Sequence, residues 1–367
     1  MTSLVAWIDR NQVPITRNFL MALYGADFVG SKLNWPRLHR TCSRFLHLLY
    51  AMEKEHGKTV YDIGYHDAYY VAYWVVLLVF MRAILMQHVF NPIAKHIVVI
   101  KSRKARVRFA EQSWSALYYT LSFGLGLYLY YHSPYYYNIE NIFVGWPHDR
   151  MTGLFKKYYL ISTAFWLQQV VVLHIEQRRK DHLQMLSHHF ITCALVIGSY
   201  YYYFNRIGNL ILIIMDSVDI FLSSAKILKY SRFPNACDAM FVVFAVTWII
   251  LRHGVYNYLF YISWFKSGQL MAASKCGVSA FVHKRCWSDR ILNAFLALLG
   301  GLQLLSLLWL WMILRVVAKF IRGDNAEDVR SDENDTDVET TSSALNGAGA
   351  TSSLLSETSV PAVETKD

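Results

Sequence analysis

The chain has 367 residues, of which 54% are hydrophobic, 16% aromatic and only 17% charged. Soluble domains carry about 25% charged residues, so this chain is short of groups to face water, and disorder and collagen are excluded with it. Five cysteines make no disulfide scaffold. Eleven acidic and two basic residues (Arg330 and Lys366) follow Gly323, a net of −9, so the preceding 323 residues carry +19 against +10 for the whole chain. A basic, aromatic, apolar body with an acidic Ser/Thr-rich tail reads as a polytopic membrane protein. Its Lys and Arg lie between the apolar runs instead of forming a nucleic-acid face.

In chain order, Met1–Pro14 lacks the apolar core of a cleavable signal peptide. A bilayer needs about 20 apolar residues per helix. Seven stretches meet that need: Ala68–Phe90, Phe109–Tyr131, Tyr158–Ile175, Leu183–Phe204, Ile207–Leu228, Ala239–Ile262 and Ile291–Val317. The loop Asn91–Arg108 holds six Lys and Arg and is the best cytoplasmic candidate, which places 176–181 and the C-terminal tail on the same side. The basic segments 1–60 and Lys266–Arg290 would then be lumenal, against the charge rule. The first conflict admits an eighth, weaker membrane element near Phe45–Met52 and leaves the side of the N-terminus open. The organisation expected is an N-terminal region over 1–64, a first helix and basic loop over 65–106, a helical domain over 107–320 and a disordered acidic tail over 321–367.

Ionisable residues inside a span cost about 2.5–3.5 kcal/mol each at a helix centre and so mark function. The fourth span contains His188 and His189, the fifth Asp216 and Asp219. Asp216, Asp219, Ser223, Lys226 and Tyr230 recur at three- and four-residue steps, which sets them on one stripe of one helix. That stripe must face a protein interior or a wet cavity. Asp181, Gln184, His188, Thr192 and Ser199 share a stripe on the fourth span, with His189 about 100° away. His188 is therefore expected to face the cavity and carry the chemistry, and His189 to orient or pack.

Three chemistries suit a His pair and an Asp pair at membrane depth. The residues are polar glue between helices. They hold a metal or diphosphate, although the second acidic motif of prenyltransferases and the several histidine boxes of desaturases are missing. Or a neutral imidazole performs acyl transfer, as nucleophile on a thioester or as general base for an amine, with Asp216 or Asp219 fixing its tautomer.

The residues Arg179-Lys180-Asp181, Ser187-His188-His189-Phe190-Ile191-Thr192, Ser199-Tyr200, Arg206-Ile207-Gly208, Met215-Asp216-Ser217-Val218-Asp219-Ile220 and Lys226…Tyr230 together resemble the longevity-assurance motif of ceramide synthases. Arg108-Phe109-Ala110-Glu111-Gln112-Ser113-Trp114, Tyr131-His132-Ser133 and Phe165-Trp166-Leu167-Gln168-Gln169 look like further signatures, and the match runs from about Tyr65 to Val317. The resemblance implies an all-α polytopic fold, a six-helix TLC-type bundle around a central cavity, plus at least one additional N-terminal transmembrane helix. It implies a multi-pass enzyme of the endoplasmic reticulum membrane. Such an enzyme joins a fatty acyl group from acyl-CoA, its co-substrate, to the amine of a sphingoid base, with no tightly bound cofactor and no metal. The family's catalytic quartet falls on His188, His189, Asp216 and Asp219. Asn205, Arg206, Lys226 and Tyr230 are candidates for substrate contact, and Arg178, Arg179 and Lys180 for the CoA phosphates.

The loop Asn91–Arg108 is too short for the homeobox-like domain of many animal members, and Met215 stands where those members tend to have His; both look fungal. Fungal members can require a small single-span accessory subunit and can pair with a paralogue, so such partners are implied, beside membrane lipid and without nucleic acid. Family chain-length choice is linked to the loop that here is Lys266–Arg290. Cys276 and Cys286 lie in it, and a disulfide and two free thiols are both open. Relatives with this helical domain also include non-enzymatic lipid-trafficking and translocon-accessory proteins, which is the alternative reading; the complete quartet discriminates against it.

Overall fold

In a computed structural model of the chain, residues 3–55, 57–175, 181–276 and 286–321 are described. The expected acidic tail, Arg178, Arg179 and Lys180 lie outside them. The described residues are mostly helical. Helix α1 spans Ser3–Lys32, α2 Pro36–Leu46, α3 Asp67–Leu85, α4 Arg103–Tyr131 and α5 Gly153–Ile175. Then follow α6 (His182–Tyr201), α7 (Asn205–Tyr230), α8 (Pro234–Thr247), α9 (Tyr256–Phe265) and α10 (Asp289–Ile321). Among the described residues, three composite or single helices are long and apolar enough to cross a membrane: Asp67–Ile97, Pro234–Phe265 and Asp289–Ala318. All seven expected stretches are helical, but α4, α5, α6 and α7 do not reach that apolar criterion, because their inward faces carry polar side chains.

Local chemistry sets several boundaries. Ser102 caps α4 through its hydroxyl, which accepts from the Ala105 amide. Pro36 and Pro234 open α2 and α8, where a missing N–H costs nothing. Helix α3 continues beyond Leu85 as π-helical turns at Met86–Phe90 and Ile93–Ile97, so much of the expected basic loop is helix. A longer π segment, Trp248–Val255, joins α8 to α9 without breaking the helix. Single π turns inside α-helices often sit at functional sites.

Two features depart from the expected architecture. The all-α reading needs amending by a small antiparallel sheet of β1 (Ala51–Glu55), β2 (Lys58–Tyr61) and β3 (Met151–Thr152), paired in that order with Tyr61 opposite Met151. Phe45–Met52 straddles the end of α2 and the start of β1. The N-terminal region instead holds the 30-residue α1, which contains Pro14 and packs on α2 and α3 around Leu20, Leu23, Cys42 and Tyr73.

The sheet is tied to the bundle by a buried polar knot. Lys156 of α5, fully buried, pairs with Asp67 at 2.9 Å and donates to the backbone carbonyls of Leu49 and Asp62. The Tyr200 hydroxyl donates to Asp67, and the Tyr203 hydroxyl to Asp62, both within 2.8 Å. A buried ammonium is tolerated only when paired and hydrogen-bonded. The knot thereby fixes the N-terminal strands to α5 and to the end of α6.

The Cys276 and Cys286 sulfurs form a disulfide across the segment between the last two long helices, settling the alternative left open by the sequence. Residues 277–285 lie outside the described ones. Thiol-reactive probes should label neither cysteine in intact membranes and both after reduction and denaturation; equal labelling in the two conditions would refute the bridge.

Candidate active site

Helices α6 and α7 are joined by only Tyr202, Tyr203 and Phe204. Tyr203 takes a left-handed conformation (φ 59°), strained for a side chain of its size and held by its bond to Asp62. A hairpin this short sets depth by counting. His188 lies fifteen residues before Tyr203 and Asp216 and Asp219 thirteen and sixteen after it, or roughly 20–24 Å from the turn on either arm at 1.5 Å per residue. The His pair and the Asp pair therefore share one level.

His188 and His189 are both buried. The His188 imidazole stands edge-on between Trp166 of α5 and Trp309 of α10, with ring centroids 5.5 and 5.2 Å away. His189 packs against Trp166 at 5.7 Å. The Nδ1 atoms of both histidines lack a hydrogen-bond partner. An apolar cavity opens between α6, α7, α9 and α10. His188, Thr192 and Ser199 line it from α6, and Ile211 and Met215 from α7; His189 does not line it. From the level of His188 it runs along α6 to Ser199 and along α10 from Leu302 to Leu292, a depth of roughly 15 Å. Its far end is closed by Phe143, Phe204 and Phe295, the last two 4.9 Å apart and edge-to-face. Gly208 has no room for a Cβ, because the Tyr159 hydroxyl, bonded to Ser199, crosses its backbone.

The far end of the cavity rests on the segment that carries the disulfide. Trp146 packs against Phe204 at 5.8 Å, and its carbonyl accepts from the Ser274 hydroxyl, two residues before Cys276. Lys266 pairs there with Glu140 at 2.7 Å, which holds the ammonium above its usual pKa. In the same region burial, with the Arg206 charge nearby, pushes His148 down to about 4, so it is neutral at pH 7.

Each aspartate faces a residue outside α6. Asp219 accepts from Arg252 of the π segment at 3.0 Å, and the Nδ1 atoms of His188 and His189 meet neither aspartate. Asp216 is almost fully buried, with the Ser122 hydroxyl of α4 facing it and its Oδ2 without a partner. Nor do any three His, Cys, Asp or Glu among the described residues converge as a metal-binding set, so the His₂Asp₂ metal arrangement is not formed.

The expected substrate contacts are also elsewhere. Asn205 donates to the Met151 sulfur, and Arg206 donates to the Asn141 carbonyl at 2.6 Å while lying over the Tyr135 ring. Both are anchors of the α7 N-terminus to the adjoining loop, and neither lines the cavity. Tyr230 packs against the Ala94, Ile100 and Phe109 cluster at the far end of α7, and Lys226 is half-buried one turn before it. Their shared stripe with Asp216 is real, but a stripe 14 residues long spans about 21 Å and cannot serve one centre.

Sequence reasoning missed Arg252, Trp166, Trp248 and Trp309 as site residues. Arg252 carried a usable signal, since it is a charged side chain inside an apolar span, as His188 and Asp216 are. Trp166 stood in the Phe165–Gln169 signature without a role, and Trp248 and Trp309 carried no signal, because Trp is common in membrane helices for other reasons.

The TLC domain family model matches residues 108–315. The sphingosine N-acyltransferase lag1 of Schizosaccharomyces pombe is 38% identical over 308 residues, covering 84% of this chain and 77% of its own. The sphingosine N-acyltransferase-like protein ALT7 of Alternaria alternata is 39% identical, covering 74% of this chain and 68% of its own. The ceramide synthase FUM18 of Gibberella moniliformis is 33% identical over 87% of this chain and 79% of its own.

Proposed function

We propose that this chain, which belongs to the TLC-domain family of sphingosine N-acyltransferases and ceramide synthases, transfers a fatty acyl group from acyl-CoA to the amine of a sphingoid base. The observation that carries the reading is a histidine with a free ring nitrogen lining a deep apolar cavity. The acyl chain lies in the cavity with its thioester carbon at His188. The imidazole then attacks that carbon and expels the CoA thiolate, or takes the proton of the attacking amine; in either case one C–S bond breaks, one C–N bond to the amine forms, and one proton passes to the departing thiol. Trp166 and Trp309 pack edge-on against the ring and limit water's approach to it, which favours attack by the amine over hydroxide.

The bundle reading extends this proposal. Helices α4 to α10 form the six-span TLC bundle, with α8, the π segment and α9 counted as one span, and α3 is the additional N-terminal span. The enzyme resides in the endoplasmic reticulum membrane, with the 176–181 side cytoplasmic. A small single-span subunit and a paralogue are its proposed protein partners. Arg178, Arg179 and Lys180, outside the described residues, attract the CoA phosphates. Reversing all three to Glu is expected to raise the KM for acyl-CoA without changing that for sphinganine, and an unchanged KM in correctly inserted protein would remove them from the site.

The test of the function is direct. Membranes from cells lacking their own ceramide synthases but expressing this chain, with the accessory subunit supplied, receive sphinganine and a panel of acyl-CoAs. N-acylated sphinganine by mass spectrometry is the expected result; none, from protein that is abundant and inserted, would favour a non-enzymatic lipid-binding role.

A further inference from the structure

Arg252 is buried at 3% exposure inside the longest π segment among the described residues. A guanidinium there needs its charge and its donors answered from nearby. Its Nη2 donates to Asp219 at 3.0 Å and lies 3.4 Å from the Met215 carbonyl of the same helix, and the guanidinium sits 4.2 Å over the Trp248 ring. Trp248 meets Trp309 edge-on at 6.2 Å, and Trp309 meets His188 edge-on at 5.2 Å. A continuous packed path therefore runs from the Asp219–Arg252 pair through two indoles to the imidazole. On the other side of Arg252, Met215 lines the cavity.

We propose that Arg252 is a positioning residue for the acyl-transfer site, and that Asp219 serves the reaction as its counter-ion. The π geometry supplies the reason for the segment's irregularity. One extra residue in the turn brings Arg252 inward against α7 while Trp248 stays on the face that meets α10. The ion pair clamps α7 to the π segment, and the clamp fixes the indole wall against which His188 is held. Loss of the Asp219 carboxylate leaves the buried Arg252 guanidinium without its ion-pair partner, which is worse than having neither charge.

The inference rests on the acyl-transfer reading, and the experiment separates the two. Asp219→Asn, Arg252→Gln, the double variant carrying both, and Arg252→Lys are purified in detergent with the accessory subunit. Melting temperature and steady-state kinetics are measured, the kinetics well below the lowest Tm. Each neutralising single variant is expected to melt earlier and to lose kcat while the KM values for acyl-CoA and sphinganine stay within about twofold. The double variant should recover kcat about tenfold over either single variant, together with most of the Tm, as coupled neighbours do. Arg252→Lys, which keeps the cation, should retain most of the activity.

A double variant with restored Tm but the kcat of Asp219→Asn would overturn the proposal and make Asp219 a direct participant in the chemistry. A double variant that melts no higher than the single variants would refute the clamp itself, as would a fully active Arg252→Gln. Absence of N-acyl product from the wild type would instead defeat the functional reading, and the Tm comparison would still test the clamp.

Discussion

His188→Ala is expected to lower kcat for N-acylation by at least about 10²-fold, the lower end of what a positioned acid–base group contributes, with little change in melting temperature. His188 is the ring that lines the cavity, and its Nδ1 has no partner to lose, so truncation strands no buried polar group. His189→Ala should cost less, because its ring packs on Trp166 outside the cavity. A second measurement separates the two roles open to the imidazole. Acyl-CoA supplied without amine should leave an acyl group on the wild-type protein, seen by intact mass, and none on His188→Ala if the ring is the nucleophile. Equal activity in His188→Ala and wild type would show that the helical stripe was assigned to the wrong histidine.

The second large effect concerns acyl-chain length. A cavity roughly 15 Å deep takes about a dozen carbons of an extended chain at the carbon–carbon spacing of a trans chain. Its floor is Phe204 and Phe295, with Phe295 packed over Gly198. Phe295→Ala should open the floor and move the preferred acyl-CoA toward longer chains by about two to four carbons. Leu299→Trp, one turn nearer His188, should shorten the preference, since each methylene that fits or fails to fit is worth about 1–3 kcal/mol of selectivity. The readout is the ratio of kcat/KM across the acyl-CoA panel; an unchanged ranking in both variants would mean that the chain does not occupy this cavity. Ser274 reaches this floor through Trp146, which packs on Phe204.

How much of this was legible beforehand depends on the kind of interaction. Three of the seven helical stretches were readable as membrane spans because a bilayer demands long apolar runs, and those runs are local properties of the chain. The His and Asp pairs stood out for the same reason, as residues whose burial in a span has a cost that function must justify. The shared depth of the two pairs followed from the shortness of the α6–α7 connection.

Sequence spacing by itself therefore determined the membrane class, the order of the helices and the stripe that sets His188 apart from His189. It could not determine which side chains meet across helices. The Asp219–Arg252 pair joins residues 33 apart, the Lys156–Asp67 pair residues 89 apart, and the Trp309–His188 packing residues 121 apart. No periodicity within one helix encodes such meetings. The stripe from Asp216 to Tyr230 misled for a related reason: a stripe reports direction around a helix axis, not position along it. Only tertiary packing decided that Arg206 and Tyr230 anchor opposite ends of α7 while the cavity opens beside Met215. The pairing of Cys276 with Cys286 likewise required a backbone that brings their Cα atoms to 4.9 Å.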